Sequence, residues 1–315
     1  MKNEILCIFC MKEKSPSEEH IFPDSLGGLL ITFDVCKTCN DYLGRQVDSP
    51  LINHYIMKLI RIKYKLIGKK GNLPNPFAKG QLDDGTKVHY LMDKNGQPRK
   101  LYSLPKKELV SKLGERKTIK FSVDVDDEDK LYKMVNAELK RSNLPTMTRD
   151  KFKNSTKRIT NTNPKMNVQV EMSLVDWHRA ILKIIYECTY YVLGKEYLLD
   201  PIAENFRKLI LNIIEPKSAN LQGTIDINSP EKNDKNDILS KFSTEHSMTT
   251  VIFRSNNLIS CYVNLFNIFV GNFIVSITGE KYSIKNNDGL VFVNDVEKKT
   301  LNKLRFFEAI NKLNK

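Results

Sequence analysis

Two cysteine pairs stand near the start of the chain, Cys7-Ile8-Phe9-Cys10 and Cys36-Lys37-Thr38-Cys39, with 25 residues between them. Each Cys-x-x-Cys turns tightly enough to bring two thiolates to one ion, and two such pairs make a tetrahedron of soft ligands. Zinc prefers this set. A site closed by four thiolates leaves no position for water or substrate, so its role is structural. The competing reading of the same residues, disulfide or redox chemistry, belongs to an oxidising compartment. A segment this short holds too little apolar material for its own core, so bound zinc is expected to contribute folding free energy directly.

Between the pairs runs Ser17-Glu18-Glu19-His20-Ile21-Phe22-Pro23-Asp24-Ser25-Leu26-Gly27-Gly28, and the second pair leads into Asn40-Asp41-Tyr42-Leu43-Gly44-Arg45-Gln46-Val47-Asp48. The ordered set of Cys-x-x-Cys, acid-His-Ile-x-Pro, Gly-Gly, Cys-x-x-Cys-Asn and Leu-Gly resembles the four-cysteine branch of the HNH nucleases. It covers roughly residues 5–50. The resemblance implies a ββα-metal fold, two short strands and a helix around a catalytic divalent ion. By position it makes His20 the general base, Glu19 a metal ligand from the first strand and Asn40 the second metal ligand from the helix. A neutral imidazole suits proton abstraction from water at pH 7. An oxygen-ligated Mg²⁺ or Mn²⁺ would neutralise charge at the scissile phosphate.

The chain departs from the family pattern at two points. Its acid is Glu rather than Asp, one methylene longer, which can hand coordination to another oxygen such as that of Asp24. The middle Asn is absent from Leu29-Leu30-Ile31-Thr32-Phe33-Asp34, where Thr32 or Asp34 could brace the loop instead. Neighbouring strand residues also face opposite ways, so Glu19 and His20 cannot both aim at one phosphate from a regular strand. Asp48 reads as a helix-end or packing residue. The plainer alternatives are a structural histidine in a zinc ribbon for His20 and a helix cap for Asn40.

Residues 1–50 thus form the zinc-stapled nuclease module. Residues 51–70 read as a basic connecting helix, apolar at Leu51, Tyr55, Ile56, Leu59 and Ile62, with Lys58, Arg61, Lys65 and Lys69 between. Residues 71–315 read as an α+β body with a sub-boundary near 165. Asn95-Gly96 signals a hairpin, Thr118–Val125 alternates as a strand, and Asp126-Asp127-Glu128-Asp129 opens a helix with the acids its dipole favours. Further on, Val168–Met172 is expected as a strand, Asp176–Leu193 and Ile202–Ile214 as helices, and Ser229–Asp237 as a polar loop. Thr249–Phe253, Ile259–Phe266 and Phe269–Ile277 read as a meander with a bend at Gly271-Asn272, and Thr300–Leu313 as a closing helix. His178, on an apolar helix, reads as a core residue. The fold class is α+β.

The 315 residues carry a net charge of +13, unevenly spread. Residues 1–60 hold six Lys/Arg against eight acids, leaving +15 on the remainder. A basic body beside a slightly acidic module suits a polyanionic partner. No apolar run approaches the ~20 residues of a membrane span, and the N-terminus lacks a signal-peptide core, so the expected setting is cytoplasmic with no membrane partner. The resemblance implies a metal-dependent endonuclease acting on nucleic acid, double-stranded DNA by family habit, in restriction, phage defence or a mobile element. A monomer would nick and a homodimer could cut both strands; a regulatory partner acting on a sensor body is compatible with either. The alternative function is a non-catalytic zinc ribbon that binds nucleic acid.

Overall fold

The computed structural model describes residues 4–313 apart from 69–70, 114–115, 161–163, 171–172, 174 and 228–237. In chain order the N-terminal part contains β1 (Ile5–Leu6), β2 (Glu13–Lys14), β3 (Pro16–His20), β4 (Ile31–Cys36), α1 (Lys37–Tyr42), α2 (Ser49–Asn53) and α3 (Tyr55–Lys63). The middle contains β5 (Gly80–Leu82), β6 (Lys87–Met92), β7 (Pro98–Ser103), β8 (Lys106–Leu113), β9 (Arg116–Ser122), α4 (Glu128–Arg141), α5 (Arg149–Ser155) and β10 (Met166–Asn167). The last part contains α6 (His178–Leu193), α7 (Pro201–Ile210), β11 (Gly223–Ile227), β12 (Ser247–Ser255), β13 (Leu258–Leu265), β14 (Phe269–Ser276), β15 (Gly289–Asp295), β16 (Thr300–Arg305) and α8 (Phe306–Leu313). The fold is α+β, with the strands antiparallel throughout.

Two compact units divide the chain differently from the sequence reading. Residues 1–74 and 172–315 form one, and 75–171 form the other. The C-terminal residues therefore belong with the cysteine module, and the reason is a shared interior. Ile8, Phe9, Phe22, Val35 and Leu43 of the module pack in one cluster with Ile181, Ile185, Tyr186 and Phe269. A short module with too little core of its own completes it on α6.

In this unit β11-β14-β13-β12-β15-β16 make a six-stranded sheet, and α6 lies across β12, β13 and β14. Helix α6 is buried on nearly all sides from Ala180 to Tyr190, as its nearly continuous apolar sequence demands. A Cβ on Gly271 would come within 2.4 Å of Ile181. Gly271-Asn272 is thus no bend. It lies inside β14, where the missing side chain lets the helix approach.

The second unit holds the sheet β10-β5-β6-β7 and the hairpin β8-β9. Asp93 to Gly96 closes the β6–β7 turn, as its Asn-Gly implied. Asp124 caps the turn that leads into α4, whose first residues Glu128 and Asp129 occupy the positive end of the dipole. Tyr132 and Phe152 meet edge-on at 5.2 Å, tying α4 to α5.

Several element expectations change. The helix expected over 51–70 breaks at His54, whose ψ is 140°, and ends at Lys63. Residues 168–170 are not strand, and the chain pairs only at Met166–Asn167. Thr300–Arg305 is a strand, because pairing with β15 overrides a helical pattern that survives only over Phe306–Leu313. The polar loop expected over 229–237 lies outside the described residues. No helix among the described residues is long and apolar enough to cross a membrane.

Candidate functional site

The ligand atoms of Cys7, Cys10, Cys36 and Cys39 all lie within 4.8 Å of one another. Cys10 and Cys36 bring their sulfurs to 3.9 Å, close to the ~3.8 Å edge of a tetrahedron with Zn–S bonds of ~2.3 Å. All four are free thiols. Crowding separates their acidities. The side-chain bond with Cys39, aided by backbone bonds from Cys10, Cys36 and Phe9, lowers Cys7 to about 4. Its bond to Cys7, with burial, pushes Cys39 far up, and burial raises Cys10. Four sulfurs this close lose their protons together only around a compensating dication, so the donor set fits structural zinc. Beside it, the Tyr186 hydroxyl donates to the Ile8 carbonyl, anchoring the first knuckle to α6.

Strand β3 leads from this centre to His20, pairs with β4 and is covered by α1, giving the two strands and helix that the resemblance implied. The ladder slips between Ser17↔Val35 and Glu19↔Thr32, leaving one extra residue on β4. There Thr32 Oγ1 donates to Asp34 Oδ2 and accepts from the Asp34 amide, which braces the bulge. After β3 the chain turns through Asp24–Leu26 into Gly27 at φ +81°. A Cβ on Gly28 would sit 1.9 Å from the Phe22 carbonyl oxygen. The Gly-Gly pair is therefore required by the loop itself.

That loop returns the Gly28 carbonyl to His20, whose Nδ1 lies 3.1 Å from it. A carbonyl only accepts, so Nδ1 donates to it, which in the neutral ring leaves the lone pair on Nε2. Nε2 faces Glu18 Oε1 at 3.4 Å, with Glu18 58% exposed. In the neutral ring both atoms are acceptors, an arrangement that suits a bridging water or a cation. Asn40 sits inside α1, which Cys36 rather than Asn40 caps. Its Nδ2 donates to Ser17 Oγ at 2.9 Å and to the Glu18 carbonyl, so the amide oxygen is turned away from those contacts.

Glu19 faces the other way. It is 4% exposed, and its carboxylate lies 2.5 Å from Lys183 Nζ on α6. Lys183 also reaches Asp48 at 3.2 Å and Glu187 at 3.5 Å, and donates to the His20 carbonyl at 2.9 Å. Burial opposes the Lys183 ammonium, but the carboxylates of Asp48, Glu187 and Glu19 overcome it and hold its pKa well above the usual value. Burial raises Asp48 to about 6 and also holds the Glu187 carboxyl well above its usual range. The structure sets Glu18 beside His20 and turns Glu19 to Lys183, while Asn40 is held against Ser17 and the β3 backbone.

Residues 7–56 match the HNH endonuclease family. The chain carries an HNH-family domain at its N-terminus. No curated protein matches the chain, and no solved structure does. A nuclease acting on nucleic acid is the function class that this domain gives.

Within the HNH-family domain, Asp48 is no helix end: the helical run continues to Asn53, and Asp48 is buried against Lys183, a partner that was not foreseen. The available signal was Lys183 and Glu187, one helical turn apart in an otherwise apolar helix. Glu18, which was not singled out from sequence, stands beside His20, as a strand's two-residue period requires. A cleft of about 1010 Å³ lies elsewhere in the unit, between Arg45, Ser49 and Asn53 on one side and Arg179, Leu209 and Ile225 on the other. Neither Glu18, His20 nor Asn40 lines it. His20 is part-buried and Glu18 beside it is exposed, so this site is reached from the surface rather than from the cleft.

Proposed function

We propose that the chain is a metal-dependent endonuclease that hydrolyses phosphodiester bonds in double-stranded DNA, with His20 as general base. The observation that carries this reading is the Gly28 carbonyl on His20 Nδ1, which in the neutral ring leaves the Nε2 lone pair facing Glu18. Nε2 takes a proton from water as the water oxygen bonds to phosphorus, and the phosphorus–oxygen bond to the leaving sugar breaks. The leaving oxygen is protonated by solvent.

In this reading Glu18 and the Asn40 amide oxygen supply the oxygen donors, and a set of one carboxylate, one amide and waters suits Mg²⁺ or Mn²⁺. When bound there, such an ion would neutralise charge on the phosphate and the leaving oxygen. Glu19, given this task by the resemblance, is paired with Lys183 away from His20, so this reading passes the task to Glu18. Residues 75–171 carry 21 Lys/Arg against 13 acids, a surplus suited to gripping a phosphate backbone.

The test is nicking of supercoiled plasmid by the wild type and His20→Ala, with Mg²⁺, Mn²⁺ or neither, zinc content being measured in each preparation. Metal-dependent nicking by the wild type alone supports the reading. Equal activity in both, or none in either with zinc bound and DNA retained on the protein, overturns it in favour of a binding ribbon.

A further inference from the structure

Asn294 lies at the end of β15 and is completely buried. Its side chain leaves its own sheet and bonds the loop between β3 and β4. The Leu29 amide donates to Asn294 Oδ1 at 2.7 Å, and Asn294 Nδ2 donates to the Gly27 carbonyl at 3.0 Å. Both partners are backbone groups of fixed polarity, so the amide has one orientation only. The two bonds straddle Gly28. Next to them, Val296 closes on Gly27, where an added Cβ would meet its methyl at 3.2 Å.

We propose that Asn294 is the positioning residue for His20: by clamping Gly27 and Leu29 it fixes the Gly28 carbonyl that holds the imidazole in its Nδ1–H form. This rests on the nuclease reading of His20, but the geometry extends it to a residue far outside the family match. Gly28 has no side chain to hold it, and its amide makes only a 3.3 Å bond to the Pro23 carbonyl. The carbonyl that orients the base therefore takes its position from the flanking peptides, and Asn294 secures both. A ring without its acceptor samples both tautomers and a wider range of orientations, and only one of these points the Nε2 lone pair at solvent.

The experiment pairs kinetics with ¹⁵N NMR of histidine-labelled protein, the His20 signals being assigned by their loss in His20→Ala. The wild type is expected to show His20 protonated at Nδ1. Asn294→Ala should shift it toward Nε2–H and lower kcat for plasmid nicking by about 10- to 100-fold, with KM and zinc content unchanged. Asn294→Asp keeps the acceptor for the Leu29 amide and loses the donor to Gly27, so it should fall between the two, and it carries the test if the alanine variant does not fold. Val291→Ala, a buried substitution on the same strand, supplies the control: it should lower stability and leave the tautomer and kcat as in the wild type. A wild-type tautomer in the Asn294 variants, or the same change in Val291→Ala, overturns the proposal. If the wild type does not nick DNA, the nuclease reading fails alone, because the tautomer still decides the role of Asn294.

Discussion

Glu18 and Glu19 are adjacent and chemically identical, yet the two faces of β3 give them opposite environments. Glu18 is 58% exposed beside His20 Nε2, whereas Glu19 is 4% exposed and paired with Lys183. On the outer face the Gly28 carbonyl uses one imidazole nitrogen and leaves the other to face Glu18. The inner face uses its groups to attach the strand to α6. Lys183 joins both, since its ammonium binds Glu19 on the inner face and the carbonyl of His20 itself. A reactive strand needs access on one side and immobility on the other, and a period of two supplies both within three residues.

The largest expected effect would break both faces at once. Cys36→Ser opens the zinc centre from which β3 starts, and structural zinc contributes ~10–16 kcal/mol in small modules. The variant should lose zinc, the module's cooperative unfolding and all nicking, as metal analysis and urea melts would show. Next, Lys183→Met should cost about 3–5 kcal/mol by leaving Glu19 buried without a counter-charge, read as a lower urea midpoint. His20→Ala separates the faces: nicking should fall ~10²–10⁴-fold with the urea midpoint unmoved.

The smallest effect concerns Asp48, raised by burial from 3.8 to about 6. A carboxyl held more basic in the fold than in the unfolded chain stabilises fully below its unfolded pKa, and that contribution fades as pH rises through the folded value. The difference in stability between the wild type and Asp48→Asn should therefore move against the wild type between about pH 4 and 6, by at most ~3 kcal/mol. A pH-independent difference would mean that Asp48 stays ionised throughout.

Chemistry-bearing residues were legible in the sequence where type and spacing carried the information. The four cysteines, His20 and Asn40 share one local frame, and the structure assembles the cysteines as expected. Which acid shares a face with His20 was harder to read, because adjacency in a motif does not state which face a side chain takes; the pleat does. Least legible were contributions from far along the chain. Lys183 and Asn294 lie more than a hundred residues from the strand and loop they hold, and no local periodicity announces a tertiary hydrogen bond. The same cause turned Thr300–Arg305 into a strand, since its fate was decided by pairing with β15.

The most direct test compares Glu18→Gln with Glu19→Gln, measuring the Mg²⁺ or Mn²⁺ concentration that gives half-maximal plasmid nicking together with the urea midpoint. Glu18→Gln is expected to raise the metal requirement at unchanged stability, and Glu19→Gln to lower stability at an unchanged metal requirement. The reverse pattern, with Glu19→Gln changing the metal requirement, would contradict the assignment of the two faces.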